Sequence, residues 1–203
     1  WGGPGTMVIP EIMLKEGPVD YLVLGEGEIT TAELLECLEN GSPLKDVKGI
    51  AYLENGEYVR TPPRNRMTDL DSLPSPLWNK LGDLSKYFTP LHGRNAVSIV
   101  TSRGCPGNCT FCYSKMMWGY KWHAFSPQRV IEDMEKIMSL DPRINGFIIM
   151  DDLFATDPKR VEEICSLIIN KKLDIIWNCE IRADMINESL LDIMKRAGCK
   201  QIL

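Results

Sequence analysis

The chain has 203 residues, enough for one large domain or two small ones, and 44% hydrophobic and 25% charged residues are ordinary for a globular protein. A net charge of −5 argues against nucleic acid as a partner, because phosphate binding needs clustered Lys and Arg. The longest apolar runs, such as Phe147–Met150, are far too short to span a bilayer, and no signal peptide is visible. The chain therefore reads as cytoplasmic, and its seven cysteines suggest metal or redox chemistry more than disulfides.

Residues 1–40 read as the tail of an α/β domain. Gly2-Gly3-Pro4-Gly5 is a turn, and residues 6–16 predict a short helix with Ile9, Ile12 and Met13 at helical spacing. Tyr21-Leu22-Val23-Leu24, closed by Gly25, suits a buried parallel strand. Thr30–Asn40 predicts a helix with Leu34, Leu35 and Leu38 on its apolar stripe and Gly41 as its stop. Both ends read as cut. The chain opens at Trp1 with no initiator Met and closes at Gln201-Ile202-Leu203 as if starting a strand, which is expected of a fragment of a longer protein.

Residues 41–94 change character. Ile50–Leu53 and Glu57–Arg60 flank Asn55-Gly56, a hairpin signal. Five prolines follow (Pro62, Pro63, Pro74, Pro76, Pro90) with little periodicity, so the stretch reads as a linker with a β-hairpin. Residues 95–203 then alternate strand and helix, which predicts a parallel sheet. The strands are expected at Ala96–Thr101, Gly146–Met150 and Ile175–Cys179, with a fourth opening at Ile202-Leu203. The helices are expected at Pro127–Leu140, Pro158–Lys171 and Asn187–Ala197. Ser126 and Pro127 supply the first helix with a cap and a first-turn proline. A repeating βα unit is itself a barrel signature.

Between the first strand and the first of these helices lies Arg103-Gly104-Cys105-Pro106-Gly107-Asn108-Cys109-Thr110-Phe111-Cys112. Three thiolates on a Gly/Pro loop can converge on one soft metal centre, and three suits neither a disulfide framework nor a closed four-ligand zinc site. A four-iron cubane held by three cysteines would keep one iron open for a ligand that is not protein. A partial zinc site completed by His123 is the competing reading, with a non-catalytic iron–sulfur or zinc module as its function.

The C-x₃-C-x₂-C run, with Phe111 before its last cysteine and Trp118-Gly119-Tyr120-Lys121-Trp122-His123 after it, resembles the radical S-adenosylmethionine (radical SAM) family. The order of Gly2-Gly3-Pro4, Val19–Gly25, Glu26-Gly27-Glu28, linker and cysteine triad resembles the cobalamin-dependent branch that includes the anaerobic magnesium-protoporphyrin cyclase-like proteins. The resemblance implies an α/β fold: residues 1–40 as the C-terminal part of a Rossmann-like cobalamin-binding domain, 41–94 as linker, and 95–203 as the N-terminal half of a radical SAM barrel. It implies that Cys105, Cys109 and Cys112 hold a 4Fe–4S cluster whose open iron takes SAM. The reaction would be reductive SAM cleavage to a 5′-deoxyadenosyl radical, used for methylation, oxidative cyclisation or rearrangement. The substrate would be a small molecule or peptide, and the electron donor a flavodoxin or ferredoxin. A cobalamin-independent, methylthiotransferase-like enzyme is the alternative within the family.

Barrel enzymes build their sites at the C-terminal ends of the strands. Asp151 and Asp152 end the second strand, where the family contacts the SAM amino group. Glu180 and Arg182 end the third, where a guanidinium can hold the SAM carboxylate in bidentate fashion. Phe111 is the expected aromatic neighbour of the cofactor, and Gly2, Gly3 and Gly25 are the expected cobalamin-side turns. Trp118, Tyr120 and Trp122 read as packing beneath a long loop, as do Met134 and Met138 on a helix stripe. Cys37, Cys165 and Cys199 read as small core residues on or at the ends of helices, and Cys179 as the extra thiol at a strand end.

Overall fold

Residues 1–203 are described by a computed structural model, in which they form two units, Trp1–Thr68 and Asp69–Leu203. The first unit begins with two short helices, α1 (Gly5–Val8) and α2 (Pro10–Glu16), then strand β1 (Tyr21–Val23), helix α3 (Glu28–Asn40) and the hairpin β2 (Ile50–Glu54) and β3 (Glu57–Arg60). The hairpin turns on Asn55 and Gly56 with φ of 53° and 83°, the paired positive angles that an Asn-Gly turn supplies. It is not part of a free linker, because β2 pairs antiparallel with β1, Val23 facing Ile50. The expected parallel environment of β1 lies on its other side. There the Trp1 amine donates to the Tyr21 carbonyl (2.8 Å) and the Val23 amide donates to the Trp1 carbonyl (2.7 Å), the exchange of a parallel pair.

The two faces of this small sheet bury different residues. Leu22, Leu24 and Ala51 pack with Leu14, while Val23, Ile50 and Tyr52 pack with Leu34, Cys37 and Val47. The predicted stripe of α3 is corrected: Thr30, Leu34 and Cys37 turn inward, and Leu35 and Leu38 are exposed. Ile9 and Ile12 are likewise exposed. In each case an apolar spacing that fits two helix faces is decided by the face the sheet covers.

The second unit starts as an irregular strap over residues 69–88. Strand β4 (Thr89–Leu91) and strand β5 (Arg94–Ile99) follow, joined at His92-Gly93 with φ of 43° and 80°. That tight turn makes Pro90 part of an antiparallel edge strand in a stretch that reads as aperiodic. Then come the short strand β6 (Ser102–Arg103), helix α4 (Ser114–Trp118), short strand β7 (His123–Ala124), and three helix–strand repeats: α5 (Pro127–Leu140), β8 (Ile144–Ile149), α6 (Pro158–Asn170), β9 (Ile176–Cys179), α7 (Glu188–Arg196) and β10 (Cys199–Ile202). The sheet order is β10-β9-β8-β5-β4, parallel throughout except for β4, and it is a curled half-barrel.

Each barrel helix starts on the signal its sequence carries. Ser126, Asp157 and Asn187 cap α5, α6 and α7 by accepting from amides in the first turn. Their apolar stripes meet the outer face of the sheet, where Val97, Phe147, Ile149, Trp177 and Cys179 join Ile131, Met134, Ile164 and Met194 in one core. The concave face is closed at its base by Leu91, Ala96, Ile148 and Ile176. Gly146 sits at that level because a Cβ there would stand 2.9 Å from the Ala96 Cβ. Higher up, Ser98 and Asn178 flank Ile148 in register, and Val100 and Met150 are half-exposed. β4 reaches no higher than the Thr89–Ala96 pair, so the outward amides and carbonyls of Ser98 and Val100 lie beyond it. A cavity of about 230 Å³ borders that edge, lined in part by Pro76, Trp78, Phe125 and Val130.

The strap is pinned to α5. Arg129 donates to the carbonyls of Asp71 and Leu73, Ser126 N–H donates to the Asp71 carboxylate, and the Ser75 hydroxyl donates to Asp133. Trp177 is the largest fully buried side chain; its indole N–H donates to the Ala197 carbonyl at 2.9 Å and its ring meets Phe154 edge-on at 5.6 Å. Replacing Trp177 by Ala removes all of these contacts and is expected to destabilise the chain by about 3–5 kcal/mol, read as a lowered urea midpoint.

Candidate functional site

The three cysteines lie on an excursion whose stem is a two-stranded antiparallel ribbon. β6 leaves the top of β5 and pairs with the returning β7, Ser102 facing Ala124 and Arg103 facing His123. Gly104 to Cys112 and helix α4 lie between the two strands. Gly104 makes the exit from β6 possible. Its φ is +87°, and a Cβ there would stand 2.1 Å from the Lys121 carbonyl oxygen, so only glycine fits. Cys105 and Cys109 are half-buried, Cys112 is exposed, and Phe111 is 91% exposed. A turn from Cys112 N–H to the Cys109 carbonyl (3.2 Å) shapes the tip, and the Tyr120 hydroxyl donates to the Asn108 side chain at 3.0 Å.

The connection from β8 to α6 holds the foot of this ribbon. Asp151 is buried, and its carboxylate accepts four hydrogen bonds: from the amides of Thr101 (2.6 Å) and Ser102 (2.9 Å) and from both of their hydroxyls (2.6 Å each). Burial pushes the Asp151 carboxyl up, and the bonds from Ser102 and Thr101 pull it back down. Asp152 is exposed and accepts from the Gly104 amide at 3.1 Å, one residue before the first cysteine. From α6, the buried Arg160 donates to the carbonyls of Thr101 and Phe125, at 2.8 Å each. Its guanidinium also lies 5.9 Å from the rings of Trp122 and Phe154. Desolvation lowers the Arg160 pKa, and the nearby Asp151 carboxylate works against that shift.

Past the end of β9, Arg182 reaches the cysteine loop. Its guanidinium pairs with Asp184 through two bonds (3.0 and 2.7 Å) and stands 4.0 Å from the Cys109 sulfur. The Asp184 hydrogen bond holds the Arg182 pKa up, and Cys109 and Cys105 act in the same direction. A Cβ at Gly107 would stand 3.2 Å from both the Cys105 sulfur and the Arg182 guanidinium, so the absent side chain keeps the space among them open. Glu180 is exposed; its backbone carbonyl accepts from the Phe154 amide. Asp152, Arg182 and the cysteines thus share the C-terminal end of the sheet, with Glu180 on the same β9 exit as Arg182.

Gly2, Gly3 and Gly25 belong to the first unit, at the C-terminal end of β1. Gly3 and Gly25 have φ of +97° and +86° with nothing within 4 Å of a built Cβ, so backbone conformation rather than space calls for glycine. The Thr6 hydroxyl lies 2.8 Å from the Gly3 carbonyl and 3.2 Å from that of Val23, tying the first turn to the strand.

The sequence reading missed Thr101, Ser102 and Arg160. A signal for Arg160 exists: it is a charged residue on the buried stripe that α6 shares with Val161, Ile164, Cys165 and Ile168. Cys199 is corrected from a helix end to the first residue of β10. Its thiol partners that of Cys179, which this contact and burial hold well above the ordinary thiol range; burial pushes Cys165 up to about 12. No three His, Cys, Asp or Glu side chains converge as ligands of a single metal ion. The donor set on the loop, three thiols with open space at Gly107 and a cation nearby, fits an anionic iron–sulfur cluster, whose thiolates each take a different iron.

A cysteine-bearing loop rising from the first parallel strand of an α/β half-barrel, with acidic and guanidinium groups at the next strand ends, defines a barrel protein with a thiol-rich site at its C-terminal face. The profile of the Radical SAM superfamily matches residues 99–203, and the chain belongs to that superfamily. Family membership implies a 4Fe–4S cluster and SAM as the cofactors. A Pyrococcus horikoshii protein described as an uncharacterized methyltransferase is 36% identical over 99% of this chain. The anaerobic magnesium-protoporphyrin IX monomethyl ester cyclase of Synechocystis is 32% identical over 95% of it. The chain spans 43% and 38% of the lengths of these two relatives. Among solved structures, the cobalamin-dependent S-adenosylmethionine radical enzyme OxsB superposes with a TM-score of 0.81 over 99% of this chain and 30% of its own, at 23% identity, a likeness of fold.

Two outcomes test the site. With iodoacetamide at pH 8, Cys112 is expected to label first, and Cys165 and Cys179 only after denaturation, as read by peptide mass mapping. Gly104→Ala is expected to abolish iron retention while the far-ultraviolet spectrum of the barrel persists.

Proposed function

We propose that the chain is part of a cobalamin-dependent radical SAM enzyme in which Cys105, Cys109 and Cys112 ligate the cluster. The observation that carries this reading is the placement of three otherwise unbridged thiols on the ribbon at the top of β5, beside Asp152 and Arg182. The cluster, when bound with SAM, supplies the electron that cleaves the sulfonium C–S bond. The chain's own residues bind and orient. Asp152 offers a carboxylate oxygen to the SAM ammonium while holding Gly104. Arg182 exchanges Asp184 for the SAM carboxylate, a bidentate partner of the same geometry. Glu180 contributes a ribose or amino contact, and Phe111 shields the nucleoside from water.

Cobalamin dependence is supported by one structural neighbour. OxsB is named for it, and Gly25 follows β1 with Gly2 beside the strand's last residue, Val23, the glycine-turn arrangement that the resemblance to a Rossmann-like cobalamin domain implies. In this reading residues 1–40 close that domain. The reaction is methylation, oxidative cyclisation or rearrangement of a small molecule or peptide, in the cytoplasm, with a flavodoxin or ferredoxin as electron donor.

Anaerobic reconstitution of the full-length protein tests the reading. About four irons per chain and SAM cleavage to 5′-deoxyadenosine are expected, with cobalamin co-purifying when supplied. Replacing Cys105, Cys109 and Cys112 together by Ala should remove both iron and cleavage. Zinc without sulfide would point to a non-catalytic module, and cleavage without cobalamin to a methylthiotransferase-like enzyme. Arg182→Lys, which keeps charge but loses the bidentate fork, is expected to weaken SAM binding roughly tenfold with iron content unchanged.

A further inference from the structure

Asp151 and Asp152 are adjacent acids at one strand end, yet their surroundings divide them. An ionised carboxylate has about four acceptor sites. All four of Asp151 are taken, by the amides and hydroxyls of Thr101 and Ser102 at 2.6–2.9 Å. Asp151 is 1% exposed. It has no lone pair to give a cofactor ammonium. Asp152 is exposed and spends one oxygen on the Gly104 amide.

Arg160 completes the picture from the opposite polarity. It donates to the carbonyl of Thr101, where the chain enters β6, and to that of Phe125, where the chain leaves β7. The Phe125 amide also donates to the Thr101 carbonyl at 3.0 Å, so the two ends of the excursion are tied to each other as well. A ribbon with two residues per strand cannot hold itself. A lysine at 160 would supply the charge but not the fork that spans two carbonyls.

We infer that Asp151 and Arg160 are positioning residues: a buried clamp that fixes both ends of the cysteine excursion before any cofactor arrives, and that leaves Asp152 as the acid free to meet one. The clamp's purpose rests on the reading of the loop as a cluster site; its geometry does not. Asp151 takes the amides of the outgoing strand, Arg160 takes the carbonyls of both strands, and the two opposite charges balance within one buried network. The loop's three thiols therefore hang from a fixed frame, and its tip stays free to adjust to the cluster.

The test is amide hydrogen exchange on the full-length protein purified without iron, comparing wild type with Asp151→Asn, Arg160→Lys and the milder Ser102→Ala. Loss of a buried charge-assisted bond is expected to speed exchange across residues 101–125 at least about tenfold. Amides in β8 and β9 should keep wild-type rates, and Asp152→Asn, which retains an acceptor for Gly104, should behave as wild type in this assay. After reconstitution, the clamp variants are expected to show a broadened cluster electron paramagnetic resonance signal. Uniform acceleration over the whole second unit, with an unchanged signal, would overturn the proposal, since Asp151 and Arg160 would then be general stabilisers. If Asp151→Asn fails to fold, Ser102→Ala and Arg160→Lys decide by the same two readings. Localised acceleration in a protein that binds no cluster would uphold the clamp and overturn only the reading of the loop's cargo.

Discussion

The carboxylate of Asp151, buried and fully engaged by Thr101 and Ser102, is the interaction on which the architecture of the site depends. A chain leaving the end of a parallel strand normally enters a loop with nothing to set its direction. Here the first two residues past β5 present amides and hydroxyls to a buried anion carried by the neighbouring strand. Removing either partner alone would leave an uncompensated polar group in the interior, which is more costly than never having buried the pair. The strand-end acid thus converts a flexible exit into a defined one, and the position of every thiol inherits that definition.

The same logic explains why the β8–α6 connection, rather than the cysteine loop itself, carries so much polar structure. Asp152 touches Gly104, Phe154 lies under Arg160, Asp157 caps α6, and Arg160 spans the ribbon. One connection of the barrel serves as the foundation for the loop of another. The cysteine loop can then remain short of internal contacts.

Much of this was legible in the chain. Periodicity located α5, α6 and α7 to within two residues, and Ser126 with Pro127 announced the start of α5; that Asp157 and Asn187 cap the other two is seen in the structure. Asn55-Gly56 located a hairpin for the same local reason. What could not be read depended on partners distant in sequence. Nothing near Ile50 says that it will pair with Val23, and nothing near Leu35 says that the sheet lies on the other side of α3. In the proposed site, the cysteine spacing and the strand ends were visible in the sequence, and their roles there came from the resemblance to the family. The roles of Thr101, Ser102 and Arg160 were not, since their bonds span 35 to 59 positions.

The short reach of β4 has a different consequence. Above Ala96 the outer edge of β5 carries main-chain donors and acceptors with no strand beside them, and an open edge of that kind invites a second molecule to add to the sheet. The strap that borders this edge bears Pro74 and Pro76, and proline has no amide hydrogen to donate to a ladder. The edge is thereby bordered by a segment unable to continue it, in the same stretch that anchors α5.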